Sequence, residues 1–329
     1  MKRKIEKFKK HSAFTIVELL TVMSIIIILI GLLVPGLNQV RRYALYVKQR
    51  NQFKAIGQSI EFFNVEFQGY PDSGALDQAG IPYCGAMKLC EAMVGQDFLG
   101  FNPDSRFFQI GTKDGGPPDT GVLLSAGGND LYPVRPTGGI PGSPPRGTEP
   151  QVKESIRERK ALYLPLETAN AYRLGDIYIN SPLLPLDLPV LCDVYNKVIN
   201  VNTGRNIGMP VLYYKANTSN IYHFNSSMPL ESNIYNSTDN QALIDLGLPW
   251  EPLTSTITHP MSDPADPIVA GKTTPDGMPP DPTIFYLKTR NPDIDVPNGR
   301  PYKADSFILM SAGFDGLYGT KDDVFDFEK

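Results

Sequence analysis

The C-terminal part of the chain concentrates acidic side chains among glycines. Its sequence SAGFDGLYGTKDDVFDFEK holds Asp315, Asp322 and Asp323 close together. Neighbouring carboxylates repel one another, and a flexible glycine-rich loop that carries them offers oxygen atoms to a hard cation such as calcium. The spacing is not that of an EF-hand, because Leu317 and Gly319 stand where that loop needs oxygen-bearing side chains. On composition alone, an ordinary solvated acidic turn is the favoured explanation.

A second unusual carboxylate lies in a strongly apolar segment near the start of the chain. Glu18 is the only charged residue between Phe14 and Val34. A carboxylate inside a membrane span costs about 2–3 kcal/mol on insertion scales, so such a residue usually has a partner. Thr15 and the other neighbours one helical turn away carry no positive charge, and we predict that none of them partners Glu18. Cleavage after Ala13 would create one positive group, the α-amino group of Phe14.

No arrangement of residues with catalytic spacing is found elsewhere. The motifs HExxH, CxxC, GxSxG, GxxxxGK and GxGxxG are absent, and the three histidines are scattered, so we predict no enzymatic activity. Cys84 and Cys90 are close enough in sequence for a disulfide in an oxidising compartment. The alternative is that all three cysteines are free and partly buried. A net charge of -4 over 329 residues excludes a strongly basic nucleic-acid binder.

The segment that carries Glu18 is long enough to cross a membrane as one helix. At ~1.5 Å per residue, residues 14–34 would span ~31 Å, the thickness of a bilayer's hydrocarbon core. Residues 1–13 contain six lysines or arginines and one glutamate, a net charge of +5, whereas the rest of the chain carries -9. Basic residues collect on the cytoplasmic side of a span. We therefore expect the N terminus inside and the bulk of the chain outside.

The helix is expected to continue beyond this segment. Pro35 and Gly36 predict a kink and not an end, because helix-compatible residues follow. Residues 35–67 then form an amphipathic half that packs on a globular head at 68–329. The apolar stripe that makes this contact consists of Phe53, Ile56, Ile60, Phe63 and Phe67.

The head is predicted to be α+β with an antiparallel sheet. A second helix is expected within 81–100, a partly mobile Gly- and Pro-rich insertion at 111–150, and the acidic loop at 311–327. Short strands bounded by turn residues are predicted at Ala161–Leu164, Asp176–Ile179, Pro189–Asp193, Pro210–Ala216, Thr283–Leu287 and Phe307–Ser311.

The residues around the predicted cleavage point resemble a known signal. The run Ala-Phe-Thr-Ile-Val-Glu-Leu-Leu from Ala13 is similar to the class III signal of type IV pilins and type II secretion pseudopilins, in which a prepilin peptidase cuts before a Phe and the new N terminus is methylated. Counted from Phe14, Glu18 is fifth and Pro35 twenty-second, as in that family, while Ala13 replaces the usual Gly. The resemblance implies a pilin-like fold, a cleaved leader at 1–13, and an assembly role for Glu18.

The C-terminal segment resembles the calcium loop of the major pseudopilin of type II secretion systems. The similarity lies in Ser-Ala-Gly-x-Asp-Gly-x-x-Gly-Thr-x-Asp-Asp. It implies side-chain ligands to calcium from Asp315, Asp322 and Asp323 and backbone carbonyl ligands from Ala312 and Thr320. Asp326 would be an outer-shell or solvated residue, and the apolar residues Val324, Phe325 and Phe327 would pack back on the head.

The resemblance implies a structural subunit of a type II secretion pseudopilus. The chain would cross the bacterial inner membrane once, with its head in the periplasm, and then enter a filament. Its partners would be the prepilin peptidase and N-methyltransferase, further copies of itself, other pseudopilins and an inner-membrane assembly platform, with no nucleic acid. A type IV pilin in a surface pilus for adhesion or DNA uptake is one alternative. A membrane-tethered binding or enzymatic domain is another.

Overall fold

A computed structural model of the chain describes residues 15–116, 130–136, 144–252 and 254–328. The chain divides into two units, with the boundary between Leu45 and Tyr46. Each unit contains part of one helix of 52 residues, α1, at Ile16–Phe67. The predicted leader 1–13 and the processing residues Ala13 and Phe14 lie outside the described residues.

The first unit consists, as far as it is described, of the beginning of α1. The helix runs through Pro35 without interruption, so the prediction that this proline does not end it is confirmed. The most apolar 18-residue window of α1 has a mean hydropathy of 2.8, and none of that window is buried. This one helix is long and apolar enough to span a membrane.

In the second unit, α1 packs through the predicted stripe. Phe53, Ile56, Ile60 and Phe63 are buried, and Phe67 is partly buried against the same cluster. Because these positions recur at three- and four-residue steps, they form one face of the helix. The stripe prediction is therefore confirmed.

The other elements are short. The helices are α2 (Gly85–Val94), α3 (Glu149–Glu158), α4 (Leu166–Ala169), α5 (Leu174–Ile177), α6 (Gln241–Ile244) and α7 (Ile284–Thr289), with 3-10 helices at Leu230–Ser232 and Ser237–Asn240. The strands are β1 (Ala171–Arg173), β2 (Pro189–Leu191), β3 (Val198–Ile199), β4 (Asn206–Ile207), β5 (Leu212–Lys215), β6 (Phe307–Ser311) and β7 (Val324–Phe325).

The strands form three small antiparallel sheets in the described parts of the chain. Two are pairs, β1 with β2 and β3 with β4, and the third has the order β5-β6-β7. Leu212 pairs with Met310, and Met310 also pairs with Phe325, so β6 is the central strand. Helix α2 is buried along its whole length and contacts β2 and β5. The layout of helices and small antiparallel sheets is α+β, as predicted.

Some predicted elements are wrong in type. Residues Thr283–Leu287 were expected as a strand, but the chain forms helix α7 there. Asp176–Ile179 overlaps the end of α5, and Ala161–Leu164 forms no strand. A short apolar run fits a buried helical turn as well as a strand, and periodicity cannot separate the two.

The predicted insertion 111–150 is partly integrated into the head. Its described residues 130–136 include Tyr132 and Arg135, which are both buried. This stretch of the insertion, which was expected to be partly mobile, is therefore part of the head, whereas residues 117–129 and 137–143 lie outside the part of the chain that the structure describes. Helix α3 begins where the insertion was expected to end.

All three cysteines are free and buried. Cys84 belongs to one apolar cluster of the core and Cys90 to another. Cys84 precedes α2 as its extended N-cap residue, whereas Cys90 lies inside the helix, and the two thiols pack into different clusters. The structure therefore has the alternative of three free thiols and not the Cys84–Cys90 disulfide.

Candidate functional site

Glu18 lies in the first turn of α1 and has a partner on its own chain. The Thr15 backbone N–H and hydroxyl both donate to Glu18 Oε2, at 2.9 and 2.8 Å, and the Glu18 N–H donates to the Thr15 hydroxyl at 3.2 Å. These reciprocal bonds form a capping box, which satisfies backbone donors at the start of a helix. The prediction that no neighbour partners Glu18 is wrong, because it considered only positive charges.

The other polar side chains of the apolar segment are satisfied within the helix. The Thr21 hydroxyl donates to the Val17 carbonyl at 3.0 Å, and the Ser24 hydroxyl donates to the Leu20 carbonyl at 2.8 Å. A helix in hydrocarbon has no water for such groups, so internal hydrogen bonds are required there. The segment can therefore lie in lipid with its described hydroxyl groups paired.

The acidic loop connects the two paired strands β6 and β7. Ser311 pairs with Val324, so the residues between them form the turn of a hairpin. Gly313 allows the loop to close, since it has a φ of +68° and a Cβ there would lie 2.0 Å from the Asp322 carbonyl oxygen. The buried residues Val324 and Phe325 pack on the head as predicted.

The carboxylates Asp315 and Asp322 are linked by hydrogen bonds within the loop. The Asp315 N–H donates to Asp322 Oδ2 at 2.9 Å, and the Thr320 hydroxyl donates to Asp322 Oδ1 at 2.6 Å. Burial, together with the nearby Asp322, raises the pKa of Asp315 to about 6. Although burial opposes it, the hydrogen bonds from Thr320 and Asp315 hold the pKa of Asp322 below its usual range.

The third predicted ligand, Asp323, pairs with a lysine from α7. Lys288 Nζ lies 3.1 Å from Asp323 Oδ2 and also donates to the Thr320 carbonyl. The Asp323 side chain is fully buried, and its Oδ1 has no hydrogen-bond partner among the described residues. Burial raises the pKa of the Asp323 carboxyl, and the Lys288 ammonium opposes that rise.

The donor set has the chemistry that calcium prefers, but the arrangement does not form one coordination sphere. Thr320 and Asp323, two of the five predicted ligands, bind the Lys288 ammonium, while Ala312 is buried at the end of β6. Within the described ranges, no group of three or more His, Cys, Asp and Glu side chains is placed to hold a metal ion. Calcium binding stays a prediction from the resemblance.

Asp326 is not a solvated residue. Its side chain is 5% exposed and lies 2.5 Å from Lys303 Nζ, and its Oδ1 accepts a hydrogen bond from the Leu309 N–H. Asp326 therefore connects the end of β7 to β6 and to the half-buried Lys303. The expectation of a solvated position is wrong because the chain turns back onto the head directly after β7.

The head also contains a pocket that bears on the alternative of a tethered binding domain. Its volume is about 500 Å³, and its walls are mostly apolar or proline residues, with Tyr178, Leu246 and Ile257 among them. Glu251 and Lys272 are its charged residues. Thr254 and Ser255 add hydroxyl groups to the lining.

Two of the site residues were missed by sequence reasoning for different reasons. The pattern Thr-x-x-Glu at Thr15 and Glu18 is a capping-box signal that the sequence displays openly. Lys288 has no local signal, because it lies 32 residues from Thr320. Only the general rule that buried carboxylates need cationic partners pointed to such a residue.

Comparison with known proteins adds no family to this picture. No family model matches the chain, and no curated protein and no solved structure is significantly similar to it.

Proposed function

We propose that this chain is a pilin-like filament subunit, most similar in role to the major pseudopilin of a type II secretion system. The observation that carries the proposal is the apolar part of α1. Ile16, Ile27 and their described neighbours are exposed, and no other described segment covers them. A continuous apolar surface of this kind requires lipid or other copies of the helix around it.

The continuity of α1 supports a filament subunit over a simple anchor. The same helix that begins with the apolar segment contributes Phe53, Ile56, Ile60 and Phe63 to the core of the head. A tether needs only a connection between its anchor and its domain. Here the helix that carries the apolar segment continues as a packed element of the head, which suits a subunit whose helix is its assembly element.

Glu18 supports the assembly role through its second carboxylate oxygen. Both Thr15 donors bind Oε2, and no donor among the described residues contacts Oε1. One oxygen therefore stays open to a charged donor from a neighbouring subunit. In the proposed mechanism that donor is the α-amino group that the prepilin peptidase creates at Phe14, and the inner-membrane platform and other pseudopilins take part in assembly.

The test separates an intersubunit role of Glu18 from its capping role. Glu18→Ala removes both, whereas Thr15→Ala removes the capping hydroxyl and leaves the carboxylate in place. We expect Glu18→Ala to insert in the membrane at the wild-type level but to form no filaments, and Thr15→Ala to form them. Membrane fractionation and electron microscopy of cells that express each variant measure both properties. Equal loss of filaments in the two variants would assign Glu18 to helix capping alone.

The alternatives predict different locations for the chain. A surface pilus for adhesion or DNA uptake should be released from cells by shearing, whereas a pseudopilus should stay in the cell envelope. A membrane-tethered binding or enzymatic domain should keep its membrane insertion and its function in Glu18→Ala. Filament formation by the wild type, lost in Glu18→Ala, would exclude this last alternative.

A further inference from the structure

Helix α7 presents a lysine to the acidic loop from a firmly held position. Phe285, Tyr286 and Thr289 of this helix are buried. The Tyr286 hydroxyl donates to the Tyr235 carbonyl at 3.1 Å and accepts from the Ser237 N–H at 3.1 Å. The position of Lys288 between these anchors is therefore set by the core and not by the loop that it contacts.

The ammonium of Lys288 bridges two parts of the acidic loop. It donates to the Thr320 carbonyl and lies 3.1 Å from Asp323 Oδ2. The side chain is 21% exposed and that of Asp323 is fully buried, so the pair is largely shielded from water. Asp322, which accepts from the Thr320 hydroxyl, and the neighbouring Asp315 add negative charge to the same loop.

We propose that the Lys288 ammonium is the built-in cation of this loop and closes it without a metal ion. A carbonyl and a carboxylate that would otherwise bind a divalent cation are bound by the lysine. A divalent cation and the ammonium cannot share these two oxygens, because like charges at contact distance repel strongly in a site with little water. The loop therefore folds in the absence of calcium, and a chelator does not change its stability.

Removal of the ammonium should uncover a cation site. In Lys288→Met the alkyl packing is largely kept, but Asp323 loses its positive partner. Its Oδ1 has no hydrogen-bond donor among the described residues, and its Oδ2 keeps only the Gly319 N–H at 2.9 Å. The three carboxylates of the loop then repel one another with no compensating charge. Calcium binding to the folded form would offset this repulsion and stabilise the variant.

The chain contains its own reporter for the experiment. Trp250, the only tryptophan, lies directly against the loop, since a Cβ on Gly316 would be 2.8 Å from its ring. Its fluorescence therefore reports the unfolding of the loop when the full-length chain is heated in detergent. The probes are calcium chloride and, in parallel samples, the chelator EDTA.

We expect the wild type to melt at the same temperature in calcium and in EDTA. Lys288→Met should melt several degrees lower in EDTA and should recover part of this loss in calcium. Lys321→Met is the matched control, because it removes the same charge from an exposed position of the same loop, and it should behave like the wild type. The double variant Lys288→Met/Asp323→Asn should lose the calcium response.

Two results would overturn the proposal. A rise in the wild-type melting temperature with calcium as large as that of Lys288→Met would mean that a metal closes the loop. Equal melting temperatures of the wild type and Lys288→Met in EDTA would mean that the ammonium does not hold the loop. If Lys288→Met does not fold, Lys288→Gln, which keeps a donor for Thr320 without charge, takes its place with the same expectations.

Discussion

The Arg135–Asp187 ion pair fastens residues 130–136 to the head. Arg135 Nη2 lies 2.6 Å from Asp187 Oδ2, and its Nη1 donates to the Gln109 carbonyl at 2.7 Å. The exposed fractions of the two side chains are 4% and 1%. Loss of one partner would leave the other charge buried and unpaired. The free-energy cost of such a charge exceeds the net stabilisation that the intact pair provides.

We predict that Arg135→Met lowers the free energy of unfolding by about 3–5 kcal/mol, since it strands the Asp187 carboxylate in the core. Denaturant unfolding of the full-length chain in detergent measures the change. Lys113→Met is the control, because its pair with Asp104 is exposed on both sides, and its effect should stay within about 1 kcal/mol. Similar losses in the two variants would contradict the prediction.

At the level of single residues, local patterns could be predicted and long-range partners could not. The spacing of Thr15 and Glu18 contains the capping box, and the acidic residues of the loop were found from their density. Lys288 was not found, because its contact with Thr320 depends on where α7 packs. The sequence around Lys288 has no feature that distinguishes it from other partly exposed lysines.

Of the described elements, α1 shows most clearly how the spacing of apolar residues determines which face is buried. Its stripe is buried on the head, and the opposite side of the same helix is exposed, as Val65 shows at 80%. The burial of Ile60, by contrast, is complete. The stability of the head therefore depends on one face of this helix.

We predict that Ile60→Ala lowers the free energy of unfolding of the head by about 2–5 kcal/mol, because it leaves a cavity between α1 and the core. Val65→Ala, on the exposed face of the same helix, should change it by no more than about 0.5 kcal/mol. Tryptophan fluorescence in a denaturant titration compares the two. Comparable effects would show that the helix does not pack by this face in solution.

Helices and strands were predicted correctly where the hydrophobic pattern of the sequence was strong. Phe307–Ser311 was predicted as a strand and is β6, a run that is buried at every position. Helix α3 was not predicted, since it is mostly polar and follows the Gly- and Pro-rich segment. For the apolar run that became α7, tertiary packing decided between helix and strand, and that information is absent from a short segment.

For the whole molecule, buried carboxyl groups set the dependence of stability on pH. Burial raises the pKa values of Asp193, Asp239 and Asp245 to about 7. An unfolded aspartate loses its proton near pH 4, so between about pH 4 and pH 7 the folded chain binds more protons than the unfolded chain. Stability from these groups is present at low pH and falls as the pH rises through 7.

Buried His259 acts in the opposite direction but at lower pH. Burial lowers its pKa to about 3, so its contribution grows as the pH rises and is complete near pH 6.5, the pKa of the unfolded side chain. Because the three raised aspartates outweigh this one histidine, we predict that the free energy of unfolding falls between about pH 4 and pH 7 and levels off above that range. Denaturant titrations at several pH values measure it, and Asp239→Asn should reduce the slope. A flat or rising profile would contradict the prediction.

The charge distribution could be predicted for the whole chain, but its energetic effect could not. The net charge and the acidity of the head follow from counting residues. Which aspartates lose contact with water is decided by the fold, as with Asp239, whose carboxylate accepts from the Ser73 hydroxyl at 2.5 Å. These two residues are far apart in the sequence, and no local pattern links them.

The three free, buried thiols can report how often the head opens. Cys84, Cys90 and Cys192 are each 0% exposed, and burial raises the pKa of Cys84 to about 11, so none reacts while the head is closed. An alkylating reagent would therefore mark only those molecules that have opened. The structure holds these three cysteines as free thiols. The rate of alkylation therefore measures the rate of opening in both oxidising and reducing surroundings.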